Sequence, residues 1–413
     1  MRINSIQNQN SFKGVTVTTS TGNSGMAIGK NVIIPFDNTA RLISENSNGR
    51  YDDIKDKTEV FVLAAGKGKR CLPLSHCQGS DVTKVYYGIP DVDRNYRPTG
   101  EMNYVLDIPM AMASPFLDND GLKWKNATKA QGSFAEVISF AKDLREKGLP
   151  QKNVIIMCGD NFFDSKVSPG ASKKEIEDKK YEITDYLADV ARDDSKILGL
   201  IGVKRTPEET ANNYGCLKAI PTSKDDICKL DGFTEKPKTA ELARKFAMDD
   251  GNCIANTGSF IMKKEAMEWL LDRIEEDPMF IGKDENELYD FAAASTRVQE
   301  HFGADKCSIK LVQDWEDAGQ PDTMASLTGE IAKGNYLNAL PEDLKRSFQR
   351  SAANNYYNDG IQTTILATPE AVGEYETAEN LAYYIETTGE LPEPTDNVLV
   401  KDVEGMYVAG VKD

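Results

Sequence analysis

Histidine is almost missing from this chain of 413 residues: His76 and His301 are the only two, too few for a histidine-rich metal site. Cysteine lacks pairing. Cys71, Cys77, Cys158, Cys216, Cys228, Cys253 and Cys307 show no metal-ligand spacing. An odd number of thiols without a signal-peptide apolar core fits reduced cysteines, so a cytoplasmic location is the expectation. No run approaches the roughly 18 apolar residues of a membrane span. Positive charge is also in deficit. A formal net charge of −17 argues against nucleic acid and anionic membrane as nonspecific partners.

What remains is an ordinary globular composition, 40% apolar and 28% charged, long enough for one large α/β domain with an appendage or for two domains. The most informative stretch is Val60-Phe61-Val62-Leu63-Ala64-Ala65-Gly66-Lys67-Gly68-Lys69-Arg70. Its apolar half reads as a strand buried on both faces, as in a parallel sheet. Gly66 and Gly68 let the backbone turn sharply and present N–H groups to a ligand, while Lys67, Lys69 and Arg70 add positive charge. The segment thus reads as a phosphate cradle at the carboxyl end of a strand. It lacks the third glycine of a dinucleotide fingerprint, which makes a Rossmann dehydrogenase the weakest rival. It also lacks the Gly-Lys-Ser/Thr of a P-loop.

Along the chain, residues 1–50 are rich in Asn, Ser, Thr and Gly and read as a partly mobile extension, with one edge strand over 31–36. Residues 51–334 alternate strands with helical patterns, which implies a mostly parallel sheet. The expected strands are Val60–Ala65, Asn153–Cys158, Lys196–Val203, Ile254–Met262 and Cys307–Gln313. Ser133 and Glu136 make a capping box for a helix that runs to Gly148, with Phe134, Val137, Ile138, Ala141 and Leu144 inward. A second helix is expected over Lys264–Glu276, with Met267, Leu270, Leu271 and Ile274 inward. Residues 335–413 read as a separate C-terminal element of unassigned role. It holds helices over Pro341–Ser351 and near Thr377–Thr387 and a polar aromatic patch over 354–358.

Eight segments carry chemistry. Leu63-Ala64-Ala65-Gly66-Lys67-Gly68-Lys69-Arg70-Cys71-Leu72-Pro73-Leu74 is followed by Val82-Thr83-Lys84-Val85 and by Gln131-Gly132. Gly159-Asp160-Asn161 ends the strand Asn153–Cys158, where a hard carboxylate suits Mg²⁺. Tyr214-Gly215, Phe233-Thr234-Glu235-Lys236-Pro237 and Asn256-Thr257-Gly258 come next. Trp315-Glu316-Asp317-Ala318-Gly319 follows the last strand, with Glu316 the local rival of Asp317. In this order the segments resemble the motifs of the nucleotide-sugar pyrophosphorylases (sugar-1-phosphate nucleotidyltransferases) over residues 58–325.

That resemblance implies a Rossmann-like, mixed but mostly parallel sheet flanked by helices, the GT-A-like nucleotidyltransferase fold. It implies a nucleoside triphosphate and a sugar 1-phosphate as substrates, Mg²⁺ as cofactor and a homo-oligomer as an open option. It casts Arg70, Lys84 and Lys236 as catalytic. Leu63, Ala64, Ala65, Gly66, Gly68, Gln131, Gly132 and Asp160 would bind the nucleotide. Gly215, Glu235, Lys236 and Asn256 would bind the sugar phosphate, and Asp160 with Asp317 the metal.

The chain departs from the pattern in three ways. Ala65 stands for a family glycine, the spacing from Arg70 to Lys84 is long, and Pro90–Gln131 is short. Asn103-Tyr104-Val105-Leu106-Asp107-Ile108-Pro109 resembles adenylyl-type members, whereas Gly159-Asp160-Asn161 resembles thymidylyl- and uridylyl-type members, so the base stays open. The alternatives are a catalytically impaired nucleotide sensor of the same fold, and a transferase acting on a non-sugar phosphate such as phosphocholine.

Overall fold

A computed structural model of the chain describes residues 15–20, 23–28, 32–35, 42, 49–63, 76–77, 80–81, 88–95, 97–116, 133–164, 170–281, 288–319, 321–356, 364–367, 398–403 and 406–411. Near the N-terminus β1 (Val15–Ser20), β2 (Asn23–Ile28) and β3 (Val32–Pro35) form an antiparallel sheet in that order. The strand expected over 31–36 is β3, an edge strand, where proline is tolerated. Helix α1 (Asp52–Lys55) leads into β4 (Thr58–Leu63). Two hairpins follow, β5 (His76–Cys77) with β6 (Ser80–Asp81), and β7 (Gly88–Val92) with β8 (Pro98–Tyr104). Then come α2 (Asp107–Ala113), α3 (Ser133–Glu146), β9 (Asn153–Cys158) and β10 (Asn161–Asp164).

Helices α4 (Lys173–Lys180) and α5 (Glu182–Arg192) precede β11 (Leu198–Arg205), α6 (Pro207–Thr210), β12 (Cys216–Pro221) and β13 (Ile227–Thr234). After α7 (Ala240–Arg244) run β14 (Cys253–Met262), α8 (Lys264–Leu271), α9 (Phe291–Phe302), β15 (Cys307–Val312) and β16 (Asp314–Asp317). The described chain closes with α10 (Pro321–Ala332), α11 (Glu342–Tyr356), β17 (Thr364–Ala367), β18 (Val398–Val403) and β19 (Met406–Val411). The last three strands form a sheet of order β17-β19-β18.

The central sheet has seven strands in the order β11-β15-β13-β12-β14-β9-β4, with a further pairing of β11 to β14. Parallel pairs β4–β9 and β11–β15 and the antiparallel remainder give five strands one direction, while β13 and β14 run against them. The sheet is therefore mixed, with most strands sharing one carboxyl edge. Both its faces are covered, and β9 shows why its sequence is apolar without alternation. Ile155 and Met157 enter one core with α2, α5, α10 and α11. Val154 and Ile156 enter the other with α3, α8 and α9. Successive side chains of a strand leave on opposite faces, so a sheet buried twice demands an apolar residue at every position.

The strand over 153–158 matches its expected span. Those over 196–203, 254–262 and 307–313 are displaced by one to two residues at their ends, and the one over 60–65 begins two residues earlier, at Thr58, with Ala64 and Ala65 outside the described residues. All five inward residues expected of α3 are buried; its capping pair lies outside the described side chains. Helix α8 stops at Leu271, and the chain then turns, yet Ile274 remains fully buried. Helix α11 runs to Tyr356, beyond the expected end at Ser351, and takes up Asn354, Asn355 and Tyr356 of the polar aromatic patch. The helix expected near 377–387 lies outside the described residues.

The core does not stop at residue 334. Leu337, Leu340, Leu344, Phe348 and Ala352 share a core with Leu42, Tyr51, Ile89 and Leu106. A buried polar knot fastens α11 to the β7–β8 hairpin. Ser351 Oγ accepts from Val92 N–H at 3.3 Å and Asn103 Nδ2 at 3.0 Å and donates to Asp91 Oδ1 at 3.1 Å. Residues 336–352 thus join the core of residues 51–334 across the boundary drawn at 335.

Candidate active site

Asp160 leaves the carboxyl edge of the sheet where β9 runs beside β4. Leu63 is registered with Cys158, and Gly159 N–H donates to Leu63 O at 2.8 Å. Only glycine fits there. A Cβ on Gly159 would stand 2.8 Å from Leu63 O and 3.0 Å from Leu106 Cδ1. Asp160 therefore emerges next to the point where the glycine-rich run departs from β4, as nucleotide sites at strand ends require. Leu63 is the described end of that run. Ala64, Ala65, Gly66, Gly68, Arg70, Lys84, Gln131 and Gly132 lie outside the described residues.

Asp317 is brought to Asp160 by a second, two-stranded sheet. Strands β10 and β16 pair antiparallel with Asn161 opposite Asp317, and Ala318 N–H donates to Asp160 O at 3.1 Å. Side chains alternate between the two faces along β16. Glu316 stands opposite Phe162, on the other face from Asp317, and Phe162 is fully buried with its ring 6.3 Å from that of Tyr336. Burial pushes the Glu316 carboxyl up, opposed by Arg205 and reinforced by Asp314 and Asp317. Among the described residues no group of three or more His, Cys, Asp and Glu could cage a metal. Two carboxylates suit a cation such as Mg²⁺, which keeps waters and substrate phosphate oxygens for its remaining positions.

Gly215, Glu235 and Asn256 come together where β12 begins and β13 ends, beside the middle of β14. Cys216 is registered with Thr234 on one side and with Ala255 on the other, and Asn256 N–H donates to Gly215 O at 2.8 Å. A Cβ on Gly215 would stand 2.5 Å from Phe233 Cε2 and 2.8 Å from Glu235 Oε2, so the absence of a side chain makes room for that carboxylate. Asn256 Oδ1 is buried, and no donor among the described residues reaches it. An orphaned acceptor costs about 1–3 kcal/mol, which a ligand hydroxyl placed there offsets. Lys236 has φ of 38° although it precedes a proline. Such a backbone costs about 1–3 kcal/mol and persists only when its surroundings hold it. Its Nζ lies 3.7 Å from Glu235 Oε1 and its side chain is 54% exposed, within reach of an incoming anion.

Further contacts join the segments of Asp160 and Asp317 to those of Gly215 and Asn256. Asn161 is buried and donates its Nδ2 to Thr257 O and, at 3.3 Å, to Ser259 Oγ. The rings of Tyr214 and Trp315 meet edge to face at 5.0 Å, and Arg205 Nη2 donates to Trp315 O at 2.5 Å. These contacts bring the segments of Asp160 and Asp317 beside those of Gly215 and Asn256. Sequence reasoning gave no role to Asn161, Arg205 or Asn212. Asn161 was visible only as the third residue of Gly159-Asp160-Asn161. Arg205 and Asn212 act on backbone carbonyls distant in sequence, a signal no local pattern carries.

Residues 132–334 match the family model described as nucleotidyl transferase. This segment is a nucleotidyl transferase domain. It holds Asp160, the Gly215–Glu235–Asn256 cluster and Asp317, while the glycine-rich run precedes it. No curated protein matches the chain. Among solved structures, a mannose-1-phosphate geranyltransferase from Thermus thermophilus is 16% identical with a TM-score of 0.38, covering 64% of this chain and 76% of that one. An apo UDP-glucose pyrophosphorylase is 12% identical with a TM-score of 0.40, covering 66% and 98%. A putative glucose-1-phosphate thymidylyltransferase from Bacillus anthracis is 14% identical with a TM-score of 0.37, covering 65% and 93%. No described helix is long and apolar enough to cross a membrane.

Proposed function

We propose that the nucleotidyl transferase domain moves a nucleotidyl group from a nucleoside triphosphate to a sugar 1-phosphate and releases pyrophosphate, in the cytoplasm. The observation that supports this reading is the closeness of two segments, those of Asp160 and Asp317 on one side and of Gly215, Glu235 and Asn256 on the other, joined by Asn161 to Thr257 and by Tyr214 to Trp315. A phosphate oxygen of the sugar 1-phosphate attacks the α-phosphorus in line, and the bond from that phosphorus to the pyrophosphate oxygen breaks. The nucleophile is already anionic, so no histidine or activated serine is needed, in keeping with the two histidines of the chain.

The protein's work is then positioning and charge neutralisation. Glu235 accepts bonds from sugar hydroxyls, and Asn256 Oδ1 takes one more. Lys236 aligns the sugar phosphate as a compact cation. By the resemblance of their motifs, Arg70, Gly66 and Gly68 are assigned to the departing pyrophosphate, Lys84 to the phosphates, and Gln131 with Gly132 to the base. Asp160 and Asp317 would hold Mg²⁺, which supplies neutralisation of the phosphate oxygens when bound.

The test is pyrophosphate release with Mg²⁺, crossing dTTP, UTP, CTP, ATP and GTP with glucose, mannose, galactose and N-acetylglucosamine 1-phosphates. Release that requires both partners supports the reading and names the substrates. Release with phosphocholine alone would move the acceptor outside the sugars, and silence with retained nucleotide binding would make the protein a sensor.

A further inference from the structure

Lys236 sits in a conformation that its own sequence disfavours twice. Its φ of 38° is left-handed, and the following Pro237 biases it toward extended backbone. Something outside the loop has to hold it. Asn212, twenty-four positions earlier, does so with two bonds: its N–H donates to Pro237 O at 2.9 Å and its Nδ2 to Lys238 O at 3.1 Å. Asn212 is itself left-handed at φ of 63°, a conformation asparagine tolerates better than most residues.

The turn that presents Asn212 is anchored on both sides. Helix α6 carries a full capping box of Thr206 and Glu209 with Pro207 in its first turn. Ala211 N–H donates to Pro207 O at 3.0 Å, Tyr214 N–H to Thr210 O at 3.1 Å, and Asn213 Nδ2 to Glu209 O at 3.0 Å. Beyond the turn, the Tyr214 ring rests on Trp315, in the strand of Asp317.

We propose that Asn212 is the positioning residue for Lys236, fixing the left-handed turn so that the ammonium meets the phosphate of the sugar 1-phosphate. The inference rests on the reading of Lys236 given above. It predicts that the amide of Asn212 governs phosphate binding without touching the ligand.

Asn212→Asp keeps the size and the left-handed tolerance but cannot donate to Lys238 O. Asn212→Gly keeps the backbone and its N–H bond and loses only the amide. Full-length protein is titrated calorimetrically with glucose 1-phosphate and with inorganic phosphate, the head common to every sugar 1-phosphate. Titrations with dTTP and ATP run in parallel, and Lys236→Ala serves as control. In both Asn212 variants Kd for the phosphate probes should rise about fivefold, the size of one net hydrogen bond, with nucleotide Kd and Tm unmoved. Weaker binding in Lys236→Ala but not in either Asn212 variant overturns the positioning role alone. Unchanged binding in Lys236→Ala, or no binding of either probe by the unaltered protein, overturns the reading of Lys236 and the inference with it. A lower Tm with phosphate and nucleotide weakened alike makes Asn212 a fold-stabilising residue and overturns the proposal.

Discussion

At Gly215 a methyl group has nowhere to go, since the Phe233 ring and the Glu235 carboxylate already occupy its place at 2.5 and 2.8 Å. Gly215→Ala is therefore expected to push Glu235 aside and raise KM for the sugar 1-phosphate at least tenfold, about 1.4 kcal/mol, while KM for the nucleotide stays within twofold. Steady-state kinetics with each substrate varied in turn would show this, and equal changes in both would contradict it. The sequence displayed Gly215, Glu235 and Asn256 as three separate fragments, each unremarkable alone. Residue type alone suggested a carboxylate and an amide suited to hydroxyls. Their mutual distances were not legible, because registers between β12, β13 and β14 decide them. Strand alternation likewise separates Asp317 from Glu316, and what each one faces depends on a pairing with β10 that no local pattern shows.

Among the elements, α6 is only four residues long and depends on its cap. Thr206 N–H donates to the Glu209 carboxylate at 2.8 Å, and this bond, with that of the Thr206 hydroxyl, holds the Glu209 carboxyl below its ordinary 4.5. A depressed folded value means that the contribution is complete above the unfolded value and disappears as pH falls through the folded one. Glu209→Gln keeps the capping geometry but cannot titrate. Its Tm should fall less steeply than that of the unaltered protein from pH 5 downward, with little difference at pH 7. Parallel Tm curves between pH 3 and 7 would contradict the account. Strand β9 was legible because burial on both faces writes an unbroken apolar run from Val154 to Met157. Helix α6 was not, since four residues give no period to read. Nor was the end of α8 at Leu271, because Ile274 keeps the helical apolar spacing although it lies in a turn.

The whole molecule is tied together at both ends of the nucleotidyl transferase domain. Arg50 grips Asp185 of α5 through two bonds of 2.8 and 2.6 Å, and Arg192 grips Asp53 in the same way at 2.7 and 2.8 Å. Helix α11 closes the opposite end of the core through Leu344, Phe348 and Ala352. Phe348 is fully buried, so Phe348→Ala should cost about 3–5 kcal/mol of global stability. Urea unfolding followed by tryptophan fluorescence should report this as a lower midpoint for the whole domain, and an unchanged midpoint would mean that α11 folds apart from it. The proposed site depends on this same unity, since Asp160 and Asp317 come from distant parts of the chain and are brought near each other by the pairing of β10 with β16 and by the bond from Ala318 N–H to Asp160 O. The most direct test of the account is a double-mutant cycle on that pair, read by pyrophosphate release. Asp160→Asn and Asp317→Asn should each lower kcat by about 10²–10³-fold, the scale of a lost electrostatic group, and the double variant should cost little more than either. Near-native turnover in one single variant, or losses that simply multiply, would contradict a site in which the two carboxylates act as one.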